Sequence, residues 1–247
     1  DCLFSWSSGG PESFEILVWE LKFGLTGPPS IKCELHHHLA PVKAALFVPA
    51  PHCVLATASM DRTVALWDCS LTAGVQEEPE LCGNLKGHKY GVHSLAYSRD
   101  HDLLFSAAFD FEVAGWDVGT EYVQMRLVGH RASLVGIAIV EHETERALSG
   151  DADGVFKLWD IRRELGARGL CIQSFTAQMG LTIVKPRTLA AAWDGGRGLV
   201  IGSSKLSVFE SAFAGSTEDE EVTLATAFPA RAGLVLPCAP GSSLTPA

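Results

Sequence analysis

No apolar run in this chain reaches the ~18 residues of a membrane-spanning helix, so nothing in it reads as a transmembrane segment. Basic charge is scarce as well: 19 Lys and Arg stand against 29 Asp and Glu, for a net charge of −10. Such an average field repels a phosphate backbone and argues against nucleic acid as the partner. The seven cysteines are odd in number and contain no Cys-x-x-Cys pair. That pattern fits reduced thiols in a cytosolic or nuclear compartment better than a disulfide framework. Helical periodicity is missing almost throughout, with one brief turn expected at residues 163–165. The chain opens at Asp1 without an initiating Met or a basic-then-apolar leader, and it is expected to be part of a longer protein.

What the sequence does have is a repeat. The grid His…Ser/Thr…Asp…Trp occurs as His38–Thr57–Asp61–Trp67, His88–Ser106–Asp110–Trp116 and His130–Ser149–Asp153–Trp159. In each copy the hydroxyl lies four residues before the Asp, and the Asp six before the Trp. The successive Trp residues are 49 and 43 apart, a period that signals stacked supersecondary units. Within the middle unit, short β-prone runs at 92–97, 103–108, 112–116 and 122–128 alternate with turn residues. That rhythm predicts an antiparallel meander of four short strands, hence an all-β chain.

Gly87-His88…Trp116-Asp117 and Gly129-His130…Trp159-Asp160 resemble WD repeats, the units of a family of β-propellers. The first unit is similar, with His37-His38 in place of Gly-His and Trp67-Asp68 intact. The resemblance covers residues 31–175 well and the flanks loosely. It implies a propeller region of four-stranded blades across 1–247, with repeats at about 36–82, 83–128 and 129–175. A partial blade is expected at 1–35, where Trp19 stands 48 before Trp67 and Ser13 takes the Asp position. A degenerate repeat is expected at 176–215, with Phe209 for Trp and Ser203 for Asp, and a further partial blade at 216–247. About five blades are visible against the four to eight usual for propellers, so the ring is expected to be incomplete within these residues.

The strand order brings the loop before the first strand and the turn between the second and third to the same end of a unit. His88 then reaches Asp110, and Ser106 bridges the imidazole to the indole N–H of Trp116, which needs an acceptor when buried. The resemblance implies the same network, as a structural staple. His, Ser and Asp also evoke a hydrolase triad, but a nucleophile must be exposed beside a pocket. A trio recurring once per unit, locked to a Trp, does not meet that condition, and no catalytic residue is assigned. The run His36-His37-His38 is not a metal site, because neighbours on a strand point to opposite faces. Gly195-Gly196-Arg197-Gly198 lacks the Lys-Ser/Thr of a phosphate loop, and no cofactor is expected.

The sequence therefore predicts a scaffold that binds other proteins, with no nucleic acid and no membrane insertion. The expected partner face carries the His loops and Asp turns, with Met60, Arg62, Lys89, Tyr90, Phe109, Phe111 and Arg131 as candidates. The stretch ending in Trp159-Asp160-Ile161-Arg162 also resembles the motif by which WD-repeat substrate receptors dock on cullin-type ubiquitin ligases. Arg162 is the candidate for that alternative, and a propeller enzyme is the remote one. An intracellular, chiefly cytoplasmic setting is expected, with cytoskeletal, ciliary or nuclear placement as variants.

Overall fold

The computed structural model describes residues 2–6, 16–20, 30–69, 79–140, 145–162 and 166–176, and six short strands between 178 and 229. Every described element is a β-strand, and every pair within a sheet is antiparallel. Strands β1 (Cys2–Trp6), β2 (Ile16–Glu20) and β3 (Ser30–Leu35) form a three-stranded sheet. The next three sheets are meanders of four. They are β4–β7 (Val42–Val48, Val54–Ser59, Thr63–Asp68, Glu80–Lys86), then β8–β11 (Val92–Ser98, Leu103–Ala108, Glu112–Asp117, Val123–Val128), then β12–β15 (Leu134–Val140, Arg146–Asp151, Val155–Asp160, Leu170–Thr176). A small hairpin of β16 (Gln178–Met179) and β17 (Thr182–Ile183) precedes a last four-stranded sheet. That sheet holds β18 (Ala191–Asp194), β19 (Arg197–Ile201), β20 (Lys205–Glu210) and β21 (Thr226–Pro229).

One sequence expectation changes here. Residues 226–229 pair with β20 and complete the sheet of β18–β20, where the sequence placed the start of a separate blade. The helical turn expected at 163–165, and most of the segment 211–247, lie outside the described residues. The three-stranded sheet, by contrast, matches the later strands of a unit: Trp19 sits at a register shift against the outer strand, as Trp67, Trp116 and Trp159 do.

Burial explains the sequence of each strand. The second strands β5 and β9 are buried at every position, because a sheet covers each of their faces. Their runs VLATAS and LLFSAA are accordingly apolar but for the hydroxyls of Thr57, Ser59 and Ser106, rather than alternating. Among the first four sheets, one core lies between each consecutive pair. Trp67 packs with Ile16, Cys33 and Leu35 of the first sheet. Trp116 packs with Val54, Leu66 and Leu85 of the β4–β7 sheet. Trp159 packs with Phe105, Met125 and Leu127 of the β8–β11 sheet. Each Trp is thus the large residue that a unit sets against its predecessor, and the sheets stack face to face as blades of a partial propeller.

Polar contacts tie the blades at the end away from the His loops. His52 Nε2 meets both oxygens of Asp102 at 2.9 and 3.1 Å, and the Tyr97 hydroxyl donates to Asp102 Oδ1 at 2.6 Å. Burial and then the Asp102 carboxylate push the Tyr97 phenol well above its ordinary value. The turn after β10 reaches back as Glu121 Oε2 accepts the Asn84 N–H at the exposed edge of β7. The loop after β14 does the same with backbone: Arg126 N–H donates to Ala167 O, and Gly169 N–H to Arg126 O. Both devices cover part of an outer strand edge that would otherwise stand open.

Candidate functional site

In the first two blades the grid closes as a continuous chain of hydrogen bonds. Trp67 Nε1–H donates to Thr57 Oγ1 at 3.0 Å, Thr57 Oγ1 meets His38 Nε2 at 2.9 Å, and His38 Nδ1 meets Asp61 Oδ2 at 2.8 Å. The corresponding distances are 2.7 Å for Trp116 to Ser106, 2.8 Å for Ser106 to His88 and 2.9 Å for His88 to Asp110. The hydroxyl has one proton and two acceptors in view, the imidazole and a main-chain oxygen at 3.5 Å (Ala65) or 3.4 Å (Ala114). The shorter contact dominates, so the hydroxyl donates to Nε2 and the imidazole carries its proton on Nδ1, toward the carboxylate. Every N–H and O–H then points the same way, from indole to carboxylate.

The carboxylates also hold the backbone. Asp61 Oδ2 accepts the Leu39 N–H and Oδ1 the Thr63 N–H, while Asp110 accepts those of Lys89 and Glu112. Burial pushes both carboxyls up, but the hydrogen bonds from His38 and Thr63, and from His88 and the backbone, outweigh it and hold both below the usual carboxylate range. Thr57 and Ser106 are fully buried. Their oxygens are engaged on every side and have no access to a substrate, which is the geometry of a staple rather than a nucleophile.

The third copy departs from the expected spacing. His130 Nδ1 meets Asp151 Oδ2 at 2.8 Å, so the grid carboxylate is Asp151 and not Asp153. The rest of the chain is intact, with His130 Nε2 to Ser149 at 2.7 Å and Trp159 to Ser149 at 2.8 Å. The reason lies in the strand. Asp151 ends β13 two residues after Ser149 and so shares its face, where the earlier copies carry Ser59 and Ala108 and must draw a carboxylate from the turn. Asp151 Oδ1 also accepts the N–H groups of Asp153 and Val155, and Asp153 itself is exposed. Burial pulls the His130 imidazole below its ordinary value, with Asp151 opposing.

The glycine before the grid His has a steric cause. A Cβ at Gly87 would stand 3.2 Å from the Trp116 ring, and one at Gly129 3.3 Å from Trp159. In the first blade His37 takes this place, its ring edge-on to Trp67 at 6.3 Å and bonded to the Asn84 amide at 2.9 Å.

The same end presents the partner candidates. Arg62, Lys89 and Arg131 are exposed, Tyr90 is 62% exposed and Phe111 41%. Two candidates are largely spoken for. Met60 is half-buried and packs so closely on Gly91 of the next blade that a Cβ there would stand 2.7 Å from its sulfur. Phe109 is half-buried against the His93 ring, with centroids 5.4 Å apart. Leu39, 86% exposed, was missed by the sequence reading. Its position after His38, equivalent to Lys89 and Arg131, is the signal that would have found it. Arg162 lies at the opposite end, half exposed, with its guanidinium paired to Asp160, whose carboxyl it holds low.

The pattern described as WD domain, G-beta repeat matches residues 30–68 and 79–117. These residues are WD repeats. Relatives include Cilia- and flagella-associated protein 337 B of Tetrahymena thermophila, 28% identical over 142 residues, 55% of this chain and 11% of that protein. Nuclear distribution protein nudF of Aspergillus niger is 27% identical over 154 residues, 61% of this chain and 32% of that protein. Ribosome biogenesis protein YTM1 of Lodderomyces elongisporus is 26% identical over 168 residues, 67% of this chain and 32% of that protein. The WD-repeat chain therefore spans between a tenth and a third of the length of these relatives. The repeats and these relatives support a protein-interaction scaffold in general terms.

Proposed function

We propose that this chain is a non-catalytic platform, part of a WD-repeat subunit that joins other proteins into a multiprotein assembly. Its partner docks on the end that carries the His loops and Asp turns. The observation behind this is the display of Leu39, Tyr90 and Phe111 beside Arg62, Lys89 and Arg131, on turns that the buried grid holds rigid. Rigid turns present such anchors at low ordering cost. The names of the relatives, which speak of cilia, nuclear distribution and ribosome biogenesis, support an intracellular setting without selecting one assembly. Nucleic acid and membrane insertion have no place in this reading.

Changing Tyr90 or Phe111 to Ala is expected to release the partner from the natively purified complex at an unchanged melting temperature. A partner that stays bound in both variants defeats the proposal. Docking on a cullin-type ligase through Arg162 is the second reading, favoured by the half exposure of that side chain. Since the guanidinium already forks onto Asp160, the platform reading is preferred. Co-purification of the ligase adaptor, lost in Arg162→Ala, would reverse that preference.

A further inference from the structure

The end proposed as the partner face has an inverted charge display. The chain as a whole carries −10, yet the carboxylates Asp61, Asp110 and Asp151 keep only 12%, 5% and 3% of their side-chain exposure. Each is turned inward onto a histidine and backbone N–H groups. Arg62, Lys89 and Arg131 point outward, and none forms an ion pair with a described residue. In the described His loops and Asp turns, Asp153 is the one carboxylate left exposed.

Left-handed residues occur in turns at both ends of the blades, with Cys53, Asp102, Glu121 and Glu145 at the far end and two at this one. Arg62 and Phe111 occupy equivalent turn positions with φ of 77° and 71°, in the left-handed region that suits glycine. The third blade does use a glycine there, Gly154 at φ 85°. Two blades thus hold a cation and an aromatic ring out to solvent in a conformation a smaller residue would adopt freely.

We infer that this rim takes an acidic protein segment in which an aromatic or aliphatic side chain is set among carboxylates. Resting on the platform reading above, the inference adds the chemistry of the partner. Arg62, Lys89 and Arg131 receive the carboxylates, and Tyr90, Leu39 and Phe111 receive the apolar group. A nucleic acid fits less well, because the cations come one to a loop on separate blades and the net charge opposes a phosphate backbone.

The test uses the whole chain and a fluorescent random copolymer of glutamate and tyrosine, with a lysine–tyrosine copolymer and polyuridylate as competitors. The acidic copolymer is expected to bind, more weakly as salt rises, and the double variant Arg62→Glu, Arg131→Glu to lose about tenfold or more in affinity. Phe111→Gly, which relieves the strained φ, is expected to bind less while melting no lower. Charge reversal of the exposed Arg99 at the opposite end should leave affinity unchanged. Equal or tighter binding of the lysine copolymer or of polyuridylate overturns the inference, as does an acidic copolymer that fails to bind. If that failure comes while the native partner still depends on Tyr90 and Phe111, the acidic class falls and the platform stands. If the native partner ignores both residues, the platform falls first.

Discussion

Replacing Asp151 by Ala tests the grid of the third blade, because the repeat spacing and the structure name different carboxylates. The substitution removes the acceptor of the buried His130 Nδ1–H and of the N–H groups of Asp153 and Val155. A buried donor left unpaired costs about 1–3 kcal/mol, and the two turn N–H groups recover part of their loss from water. The expected total is about 2–5 kcal/mol. Asp151→Asn keeps the shape and one acceptor oxygen, but its NH2 group replaces the other oxygen and faces an N–H donor, so it should recover only part of that loss. Asp153→Ala, an exposed position, should cost less than about 1 kcal/mol. Equilibrium urea unfolding of the whole chain reads these losses as a shift in midpoint at constant slope. Should Asp153→Ala lose as much as Asp151→Ala, or Asp151→Ala lose nothing, the hydrogen-bond reasoning is refuted.

Further outcomes follow from the same contacts. His37, His93 and His130 sit below their ordinary 6.5, each through burial first, and Asp61 and Asp110 below 3.8. On acidification the unfolded chain therefore takes up protons before the folded one, and stability falls with pH. The loss should begin below about 6.5 for the histidines and resume below about 4 for the carboxylates; melting temperatures that climb between pH 7 and pH 5 would contradict it. Gly169→Ala places a Cβ 2.3 Å from Leu127 Cδ2, which is fully buried and has nowhere to go. A loss of about 1–3 kcal/mol is expected in urea unfolding, against almost none for Gly119→Ala, whose nearest neighbour is at 3.6 Å. Arg62→Gly exchanges relief of left-handed strain for greater freedom in the unfolded chain, so its midpoint should move by less than about 1 kcal/mol. Amide exchange should be slowest in β5 and β9, the strands buried at every position, and a faster β5 than β7 would argue against the stacked-blade core.

Repetition made the fold legible from the residues alone. Three copies of one spacing fixed the strand count of a unit, and Trp at the end of each third strand marked the residue packed against the preceding blade. The His–hydroxyl–Trp part of the network was readable because both its reach and its partners repeat with the strands. The carboxylate of the third copy was not, since Asp151 and Asp153 differ by two residues and share a face in any strand-based reading. Only the fold shows that the strand-end Asp151 occupies the place of the turn carboxylate. The assignment of Thr226–Pro229 to the sheet of β18–β20 was equally out of reach, because strand pairing across a long connection leaves no local pattern. The partner face divides the same way. Which loops gather at one end follows from strand order, whereas Met60 is covered by Gly91, Phe109 by His93, and Leu39 by nothing described. Exposure depends on what lies across from a side chain, and that is decided by the packing of neighbouring blades rather than by the residues on either side of it.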